Sequence, residues 1–205
     1  MSKKGQNKEN YEEIKVILIG ESGVGKSNLI QTSVGNKFEE HKESTINASF
    51  ETIEMNINGK QYKINLWDTA GQEMYLGVTK LFFKGSNIVI LVYDITNSNS
   101  FESLKKWLKI TKETIDNNYI IGIVGNKNDL YLNLEVSEED VKNYAESIES
   151  KYAFVSAKTQ SQLFVEFVKE LVKDYKDIEP EDIRRDRRCS MKLNKKKTNK
   201  KQGCC

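Results

Sequence analysis

Short apolar runs alternate along the chain with stretches in which apolar residues recur every three or four positions. The short apolar runs predict strands that are buried on both faces of a parallel sheet, and they lie at residues 14–19, 88–93 and 120–124. Residues 153–156 predict one further short strand. Helical spacing predicts helices over 26–34, 101–115 and 164–175, and a fourth that begins at the N-cap Ser137 and runs through residue 150.

Two segments with alternating apolar and polar residues indicate a hairpin. Residues 50–57 and 62–67 alternate in this way, and Asn58-Gly59 lies between them. Asn-Gly between alternating segments is a strong signal for a tight turn. The pattern as a whole predicts an α/β fold, in which a mostly parallel, six-stranded sheet has helices on both faces. Ligands bind such folds at the carboxyl ends of the strands.

Charge divides the chain into an acidic body and a basic tail. The net charge is +2, but the segment from Arg184 to Lys201 has ten basic residues and one acid, a local charge of +9, which leaves −7 for the rest. The only proline, Pro180, follows the last predicted helix. We therefore expect a flexible N-terminus over 1–11, one domain over 12–176, and a disordered basic tail over 177–205.

The cysteines and the apolar runs predict a cytosolic protein. All three cysteines, Cys189, Cys204 and Cys205, lie in the tail, so the predicted domain has neither a disulfide nor a cysteine metal site. The first eleven residues lack the apolar core of a signal peptide. The longest apolar run has six residues, which is too short to span a bilayer.

Residues 20–27, Gly-Glu-Ser-Gly-Val-Gly-Lys-Ser, match the phosphate-loop pattern G-x-x-x-x-G-K-[ST] directly after a predicted strand. Glycines let such a loop turn its N–H groups toward phosphates, Lys26 can reach the β- and γ-phosphates, and the Ser27 hydroxyl can bind Mg²⁺. The alternative is a glycine-rich turn without a ligand. The predicted nucleotide-binding residues of this loop are Ser22, Gly23, Val24, Gly25, Lys26, Ser27 and Asn28.

A second motif, Trp67-Asp68-Thr69-Ala70-Gly71-Gln72-Glu73, ends another predicted strand. Asp68 can hold a water on the metal at Ser27, Gly71 can bring its N–H to a γ-phosphate, and Gln72 can orient an attacking water. On its own the segment could equally be a polar turn.

Two further motifs point to guanine. Asn126-Lys127-Asn128-Asp129 follows a predicted strand, and an aspartate there can accept hydrogen bonds from guanine N1 and N2. Adenine offers neither donor, so a buried Asp129 would reject it. The Lys127 stem can pack over the base, and Asn126 can tie this loop to the phosphate loop. Ser156, Ala157 and Lys158 end the last strand, where the Ala157 N–H could reach guanine O6.

These motifs, in this order, resemble the Ras superfamily of small GTPases over residues 12–176. Trp67 before Asp-Thr-Ala-Gly-Gln-Glu and the final Gly-Cys-Cys resemble the Rab family within it. The segments 36–38 and 44–50, with Ala-Ser-Phe at 48–50, are similar to the endocytic Rabs, as are 93–96 and 143–147. The resemblance implies a switch that binds GTP and GDP with Mg²⁺ and hydrolyses GTP.

The resemblance also assigns residues that spacing alone does not. Thr45 corresponds to the threonine that binds Mg²⁺ only when the γ-phosphate is present, and Phe38 to the aromatic that packs edge-on against guanine. Phe50, Trp67 and Phe82 correspond to the aromatic triad that Rab effectors contact, although ordinary core packing would also explain them.

The chain departs from the Rab pattern on the surface that regulators contact. Met74 replaces the usual arginine, Asn47 an often-found glycine, and Phe82-Phe83-Lys84 the usual Tyr-Tyr-Arg. All four arginines lie at 184–188, so the predicted domain carries none that could act in hydrolysis. We therefore expect slow unassisted hydrolysis, near the ~10⁻⁴ s⁻¹ of Ras.

The basic tail fits an anionic membrane or a nucleic acid. Its basic run has no interleaved aromatics for base stacking, which disfavours nucleic acid. Cys204 and Cys205 resemble the Rab signal for two geranylgeranyl groups, and two lipid chains hold a protein stably at a bilayer. Cys189 has no predicted role beyond a free surface thiol.

Taken together, these features predict a monomeric Rab-type switch in vesicle traffic. The resemblance implies an exchange factor, an activating protein, a GDP-dissociation inhibitor with a prenylation escort, and effectors of the GTP form. It implies the cytoplasmic face of early endosomes, with a cytosolic GDP-bound pool. The alternatives are a scaffold with negligible hydrolysis, a Rab of another transport step, and a P-loop kinase or ATPase.

Overall fold

The computed structural model describes residues 11–40, 49–69, 82–115 and 118–178. Six strands form one sheet in the order β2-β3-β1-β4-β5-β6. All neighbours are parallel except the β2–β3 pair, which is antiparallel. The strands are β1 (Glu12–Ile19), β2 (Ser49–Ile57), β3 (Lys60–Asp68), β4 (Ile88–Asp94), β5 (Ile120–Asn126) and β6 (Lys151–Phe154). The predicted α/β fold is confirmed.

Helices cover both faces of this sheet. They are α1 (Lys26–Ser33), α2 (Ser98–Glu102), α3 (Leu104–Thr114), α4 (Glu138–Ser147) and α5 (Ser161–Ile178), and a 3₁₀ segment spans Asn128–Asn133. Strand β4 shows why the central runs are apolar throughout: Ile90 and Val92 pack with α1 and α5, whereas Leu91 and Tyr93 pack with α3 and α4. Alternate side chains of a strand face opposite sides, so both sets must be apolar.

The Asn58-Gly59 hairpin is also confirmed. Residues Ile57 and Lys60 are paired across a two-residue loop, and Asn58 and Gly59 have φ angles of 51° and 77°. Positive φ at both central residues is what a type I′ turn requires.

The predicted helix over 101–115 is wrong in two details. The helical region begins at Ser98, where the Asn97 side chain accepts a hydrogen bond from Ser100 N, and it divides at Ser103 into α2 and α3. The hydroxyls of Ser100 and Ser103 donate to the carbonyl oxygens of Asn97 and Ser100. Such side-chain bonds compete with the helical ladder and explain the division.

Other boundaries also differ by a few residues. Helix α4 ends at Ser147 rather than residue 150, because Glu149 has a left-handed φ of 53°. Strand β6 lies two residues earlier than predicted, since its pairing with β5 ends at Phe154. Helix α5 runs from Ser161 to Ile178, beyond the predicted 164–175 at both ends.

Candidate functional site: a phosphate loop joined to a base-binding loop

The motifs found in the sequence meet at one edge of the sheet. Strands β1, β3, β5 and β6 are parallel to one another. Strand β1 leads into the phosphate loop, β3 ends at Asp68, β5 ends at Asn126, and Ser156 follows the end of β6 by two residues. Their carboxyl ends therefore lie side by side, which is where ligands bind in folds of this class. Contacts between these four segments define the site.

Two of the three glycines of the phosphate loop lie where a side chain would not fit. Gly20 has a φ of 151°, and a Cβ on it would come 2.1 Å from the Val92 carbonyl oxygen. Gly25, with a φ of 94°, is the N-cap of α1, and its Cβ would come 2.3 Å from Asn126 Nδ2. At Gly23, with a φ of 81°, a Cβ would meet nothing within 4 Å. The loop therefore packs against β4 and β5 on one side and is open at Gly23.

Lys26 is a buried cation at the start of α1. Its side chain is 6% exposed, and Nζ donates hydrogen bonds of 2.8 Å to the carbonyl oxygens of Gly20 and Glu21. Burial lowers the pKa of Lys26 to about 8, and the carboxylates of Asp68 and Glu21 act in the opposite direction. A buried ammonium group beside a helix N-terminus suits a multiply charged anion such as a phosphate.

The residues predicted to hold a metal offer hard oxygen donors. Ser27 lies in the first turn of α1, and Asp68, 5% exposed, ends β3. The next residue, Thr69, donates from Oγ1 to the Leu18 carbonyl oxygen at 2.7 Å, which holds the end of β3 against β1. A hydroxyl and a carboxylate fit Mg²⁺, which binds few protein ligands and keeps several waters. Within the described ranges no group of three or more His, Cys, Asp or Glu residues could hold a metal.

Asn126 joins the two loops, as predicted. Its Nδ2 donates to the Val24 carbonyl oxygen at 2.8 Å, and its Oδ1 accepts from the Ala157 N–H at 3.2 Å. Asn126 is 2% exposed. One buried amide thus connects the phosphate loop, the end of β5 and the segment after β6.

Asp129 is held by a residue from the neighbouring motif. The Ser156 hydroxyl donates to Asp129 Oδ1 at 2.5 Å and accepts from the N–H groups of Lys158 and Thr159. The Asn128 N–H also donates to the Val155 carbonyl oxygen at 3.0 Å. These bonds orient the Asp129 carboxylate, which is the acceptor predicted to recognise guanine.

Lys127 has a partner that the sequence analysis missed. Its backbone is left-handed, with a φ of 67°, and its Nζ lies 2.5 Å from Asp94 Oδ2. Asp94 Oδ1 accepts two bonds from Thr96, through its N–H and its hydroxyl. Asp94 ends the apolar run of β4 just as Asp68 ends β3, and this position in the sequence could have identified it. The ion pair fixes the stem that was predicted to pack over the base.

A second missed contact supports the phosphate loop from α3. The indole N–H of Trp107, which is fully buried, donates to Glu21 Oε1 at 3.3 Å. In the sequence, Glu21 is a variable position of the loop motif, and Trp107 lies within a predicted helix. Nothing in the local sequence links residues 86 positions apart.

Phe38 lies next to the last motif. Its ring is partly buried against the core, and Lys158 Nζ lies 5.8 Å from the ring centroid. Asn28 Nδ2 donates to the Glu39 carbonyl oxygen at 2.8 Å. The segment after α1 is thereby held beside the loop that carries Ser156 and Ala157.

The three aromatics of the predicted effector surface form one row. The Phe50 and Trp67 rings stack with centroids 4.9 Å apart, and the Trp67 and Phe82 centroids are 5.7 Å apart. Lys15 Nζ lies over the Trp67 ring at 4.7 Å. Phe50 is 53% exposed, so it is not an ordinary core residue.

Several predicted residues lie outside the described ranges. They are Asn47, Met74, Cys189, the Mg²⁺ and γ-phosphate residues Thr45 and Gly71, the catalytic Gln72, and the lipidation residues Cys204 and Cys205. Among the helices that are described, none combines the length and the apolar character needed to cross a bilayer.

Comparison with known proteins identifies the family. The sequence profile of the Ras family matches residues 15–177. The chain is 45% identical over 138 residues to Ras-related protein Rab11E of Lotus japonicus, an alignment that covers 67% of this chain and 63% of that protein. It is 39% identical over 161 residues to Ras-related protein Rab-21 of Homo sapiens, and this alignment covers 77% of this chain and 72% of that protein. It is 36% identical over 184 residues to Ras-related protein rab-11.1 of Caenorhabditis elegans, and this alignment covers 89% of this chain and 87% of that protein.

The matched region contains the four motifs of the predicted nucleotide site, and within it a phosphate loop, a Mg²⁺-compatible pair of oxygen donors and a guanine-compatible carboxylate lie at one edge of the sheet. The chain belongs to the Ras family and, within it, to the Rab small GTPases, which bind GTP and GDP with Mg²⁺, hydrolyse GTP and act as switches in membrane traffic.

Proposed function

We propose that this chain is a lipid-anchored switch of endosomal traffic, in which the two loops joined by Asn126 hold the nucleotide. The observation that carries the nucleotide-binding part of this proposal is the pair of hydrogen bonds that Asn126 makes with Val24 and Ala157. A site that reads the base and the phosphates of one molecule needs both loops in a fixed relation. The domain that carries this site spans 12–176, between an N-terminal segment and the basic tail.

The nucleotide contacts divide between the two loops. The phosphates lie against the loop residues Ser22 to Asn28, where the Lys26 ammonium group gains an anionic partner in place of the carbonyl oxygens of Gly20 and Glu21. The base lies between Phe38 and the Lys127 stem, with Asp129 accepting from guanine N1 and N2 and the Ala157 N–H donating to O6. The adenine of ATP would leave the half-buried Asp129 carboxylate without these two donors, which costs about 1–3 kcal/mol.

The proposed metal site consists of Ser27, Thr45 and, through a water, Asp68. When bound, Mg²⁺ neutralises charge on the β- and γ-phosphates. Gln72 holds the attacking water in line with the γ-phosphate, and Lys26 with the loop N–H groups stabilises the charge that develops there. Because all four arginines lie in the tail, an activating protein would supply the missing positive charge.

Thr45 and Gly71 make the protein a switch. Both contact the γ-phosphate in the proposed GTP form, so hydrolysis releases the two segments that carry them. Effectors bind the ordered segments together with the row formed by Phe50, Trp67 and Phe82, whose partly exposed rings offer apolar area beside them. An exchange factor returns the protein to the GTP form.

The tail anchors the protein to the membrane. Geranylgeranyl groups on Cys204 and Cys205, together with the basic segment 184–201, provide more than one membrane signal, as stable anchoring requires. A prenylation escort delivers the protein, and a GDP-dissociation inhibitor holds the GDP form in the cytosol. The early endosome is proposed because of the similarity at residues 36–50 to endocytic Rabs.

The nucleotide itself is the first test. Protein purified without added nucleotide is denatured, and the released compound is identified by chromatography. GDP or GTP supports the guanine assignment, whereas ATP or ADP contradicts it. Single-turnover hydrolysis of loaded GTP then separates a switch from a scaffold. We expect a rate near ~10⁻⁴ s⁻¹ that an activating protein increases strongly, and a rate near ~1 s⁻¹ without a partner would contradict the proposal.

Localisation tests the endosomal step. Tagged Gln72→Leu protein, which we expect to accumulate with GTP, is imaged with an internalised fluid-phase tracer, and the same chain with Cys204→Ser and Cys205→Ser is the control. Overlap with early tracer-positive vesicles that the control lacks supports the proposal. Binding to another organelle is consistent with the GTPase assignment and contradicts the endosomal step.

Nucleotide occupancy tests the switch. Equal GTP occupancy of Gln72→Leu and Ser27→Asn in cells would contradict the proposal that the protein is a switch.

A further inference from the structure

The 3₁₀ segment after the guanine motif exposes a patch of large apolar side chains. Leu130, Tyr131, Leu132 and Leu134 are 41%, 65%, 84% and 49% exposed, and we call them the Leu132 patch. Only three other large apolar side chains are exposed in the described parts of the chain: Phe50, Leu163 and Ile178. Scattered exposed apolar residues are normal, whereas four within five positions indicate a surface that another group covers.

The segment of the chain that carries this patch is rich in acids and has no basic residue. From Asn128 to Asp140 the chain has five acids and no lysine or arginine; the acids are Asp129, Glu135, Glu138, Glu139 and Asp140. The last three lie in the first turn of α4, where they also favour the helix. That role explains the acids but not the exposed leucines beside them. An apolar patch with an acidic rim fits a basic segment with apolar side chains and disfavours an anionic membrane.

We propose that the basic tail of this same chain binds the Leu132 patch and its acidic rim, in the part of the tail around residues 187–197. This segment has Arg187, Arg188 and four lysines, and Cys189, Met191 and Leu193 alternate with polar residues. In an extended backbone these three less polar side chains lie on one side. These side chains complement the apolar Leu132 patch, and the flanking cations complement the negative charge of its acidic rim.

The chain is long enough for this contact. Helix α5 begins beside the patch, because Gln160 N donates to the Ser156 carbonyl oxygen and the Ser156 hydroxyl donates to Asp129. It ends near the start of β1, where Lys176 pairs with Glu12. Its 18 residues span about 27 Å. Residues 179–189 can cover about 36 Å when extended, so Cys189 can return to the patch.

The contact would occupy the same cations that the proposed anchor presents to a membrane. This proposal goes beyond the proposed function, since neither nucleotide binding nor hydrolysis depends on the contact between the tail and the patch. Its test can therefore fail while the GTPase assignment stands.

The cysteines allow the contact to be measured directly. The purified, unlipidated, GDP-loaded full chain with Cys204→Ser and Cys205→Ser retains Cys189 as its only thiol. A nitroxide attached there broadens the NMR signals of nearby amides, and its reduced form provides the reference. We expect selective broadening of residues 130–140 that salt weakens. Residues of β2, at the far edge of the sheet, should keep their intensity.

Substitutions distinguish this contact from a random encounter. Leu132→Asp with Leu134→Asp, and separately Glu138→Lys with Glu139→Lys, should remove the broadening. Glu51→Lys, at an exposed acid on β2, should leave it unchanged. Thermal melting verifies that each variant is folded. Absence of broadening at 130–140, or broadening that survives in both double variants, would overturn the proposal. The proposal would also be overturned if the Leu132 patch bound another basic protein but did not bind the tail.

Discussion

Asn126 Nδ2 donates a 2.8 Å hydrogen bond to the carbonyl oxygen of Val24, a residue 102 positions earlier in the chain. The same side chain accepts from the Ala157 N–H. The buried amide therefore holds the phosphate loop and both segments of the base-binding region together. Disturbing this junction should affect stability and nucleotide binding at once.

Asn126→Ala removes both bonds and leaves the Val24 carbonyl and the Ala157 N–H inside the protein without their partner. Each such group costs about 1–3 kcal/mol. We expect the free energy of unfolding to fall by about 3 kcal/mol and GDP to dissociate much faster. Chemical denaturation and release of fluorescent GDP measure the two effects. The control is Asn133→Ala at an exposed position, and its free energy of unfolding should stay within about 0.5 kcal/mol of the unsubstituted protein. An equally small change in Asn126→Ala would contradict the role of the junction.

Gly25→Ala tests the same junction from the other side. Its Cβ would come 2.3 Å from Asn126 Nδ2, so the amide must move and lose its bond to Val24. Gly35→Ala is the matched control, because Gly35 has a similar φ of 88° and open space around its Cβ. We expect the control to lose about 1 kcal/mol of stability from backbone strain alone. GDP affinity, measured by titration, should fall only in Gly25→Ala.

Ser156→Ala tests the orientation of Asp129. The hydroxyl that donates to Asp129 Oδ1 at 2.5 Å is lost, together with an acceptor for two backbone N–H groups. A loss of about 1.4 kcal/mol in binding would increase GDP dissociation about tenfold. Ser147→Ala removes a hydroxyl that bonds only its own helix and should leave the rate unchanged. If the two variants release GDP equally slowly, Asp129 does not need Ser156.

Phe50→Ala separates the aromatic row from the nucleotide site. Phe50 is half exposed and stacks on Trp67, and such a pair contributes about 0.5–1.5 kcal/mol. We expect a small loss of stability and an unchanged rate of GDP release. Proximity labelling in cells should identify proteins that Gln72→Leu enriches relative to Ser27→Asn. We expect this set to be lost when Phe50→Ala is added to Gln72→Leu. If the set is retained, Phe50 is not part of the effector surface.

Most of the fold could be predicted because its elements have strong local causes. The apolar runs of β1, β4 and β5 are long enough to identify buried strands, and Asn58-Gly59 has the conformational preference that its turn requires. Boundaries were less predictable. The division at Ser103 depends on hydroxyl bonds that compete with the helix, and the end of β6 depends on how far its neighbour pairs.

The chemistry of the site could be predicted from local motifs, because phosphate, Mg²⁺ and guanine each require certain groups at certain spacings along the chain. Which side chains orient those groups depends on the fold: Asp94 orients Lys127, Ser156 orients Asp129, and Trp107 orients Glu21. These partners come from different strands and helices. Hydrogen bonds and ion pairs act over a few ångströms in space, whatever the separation along the chain, so no local pattern records them.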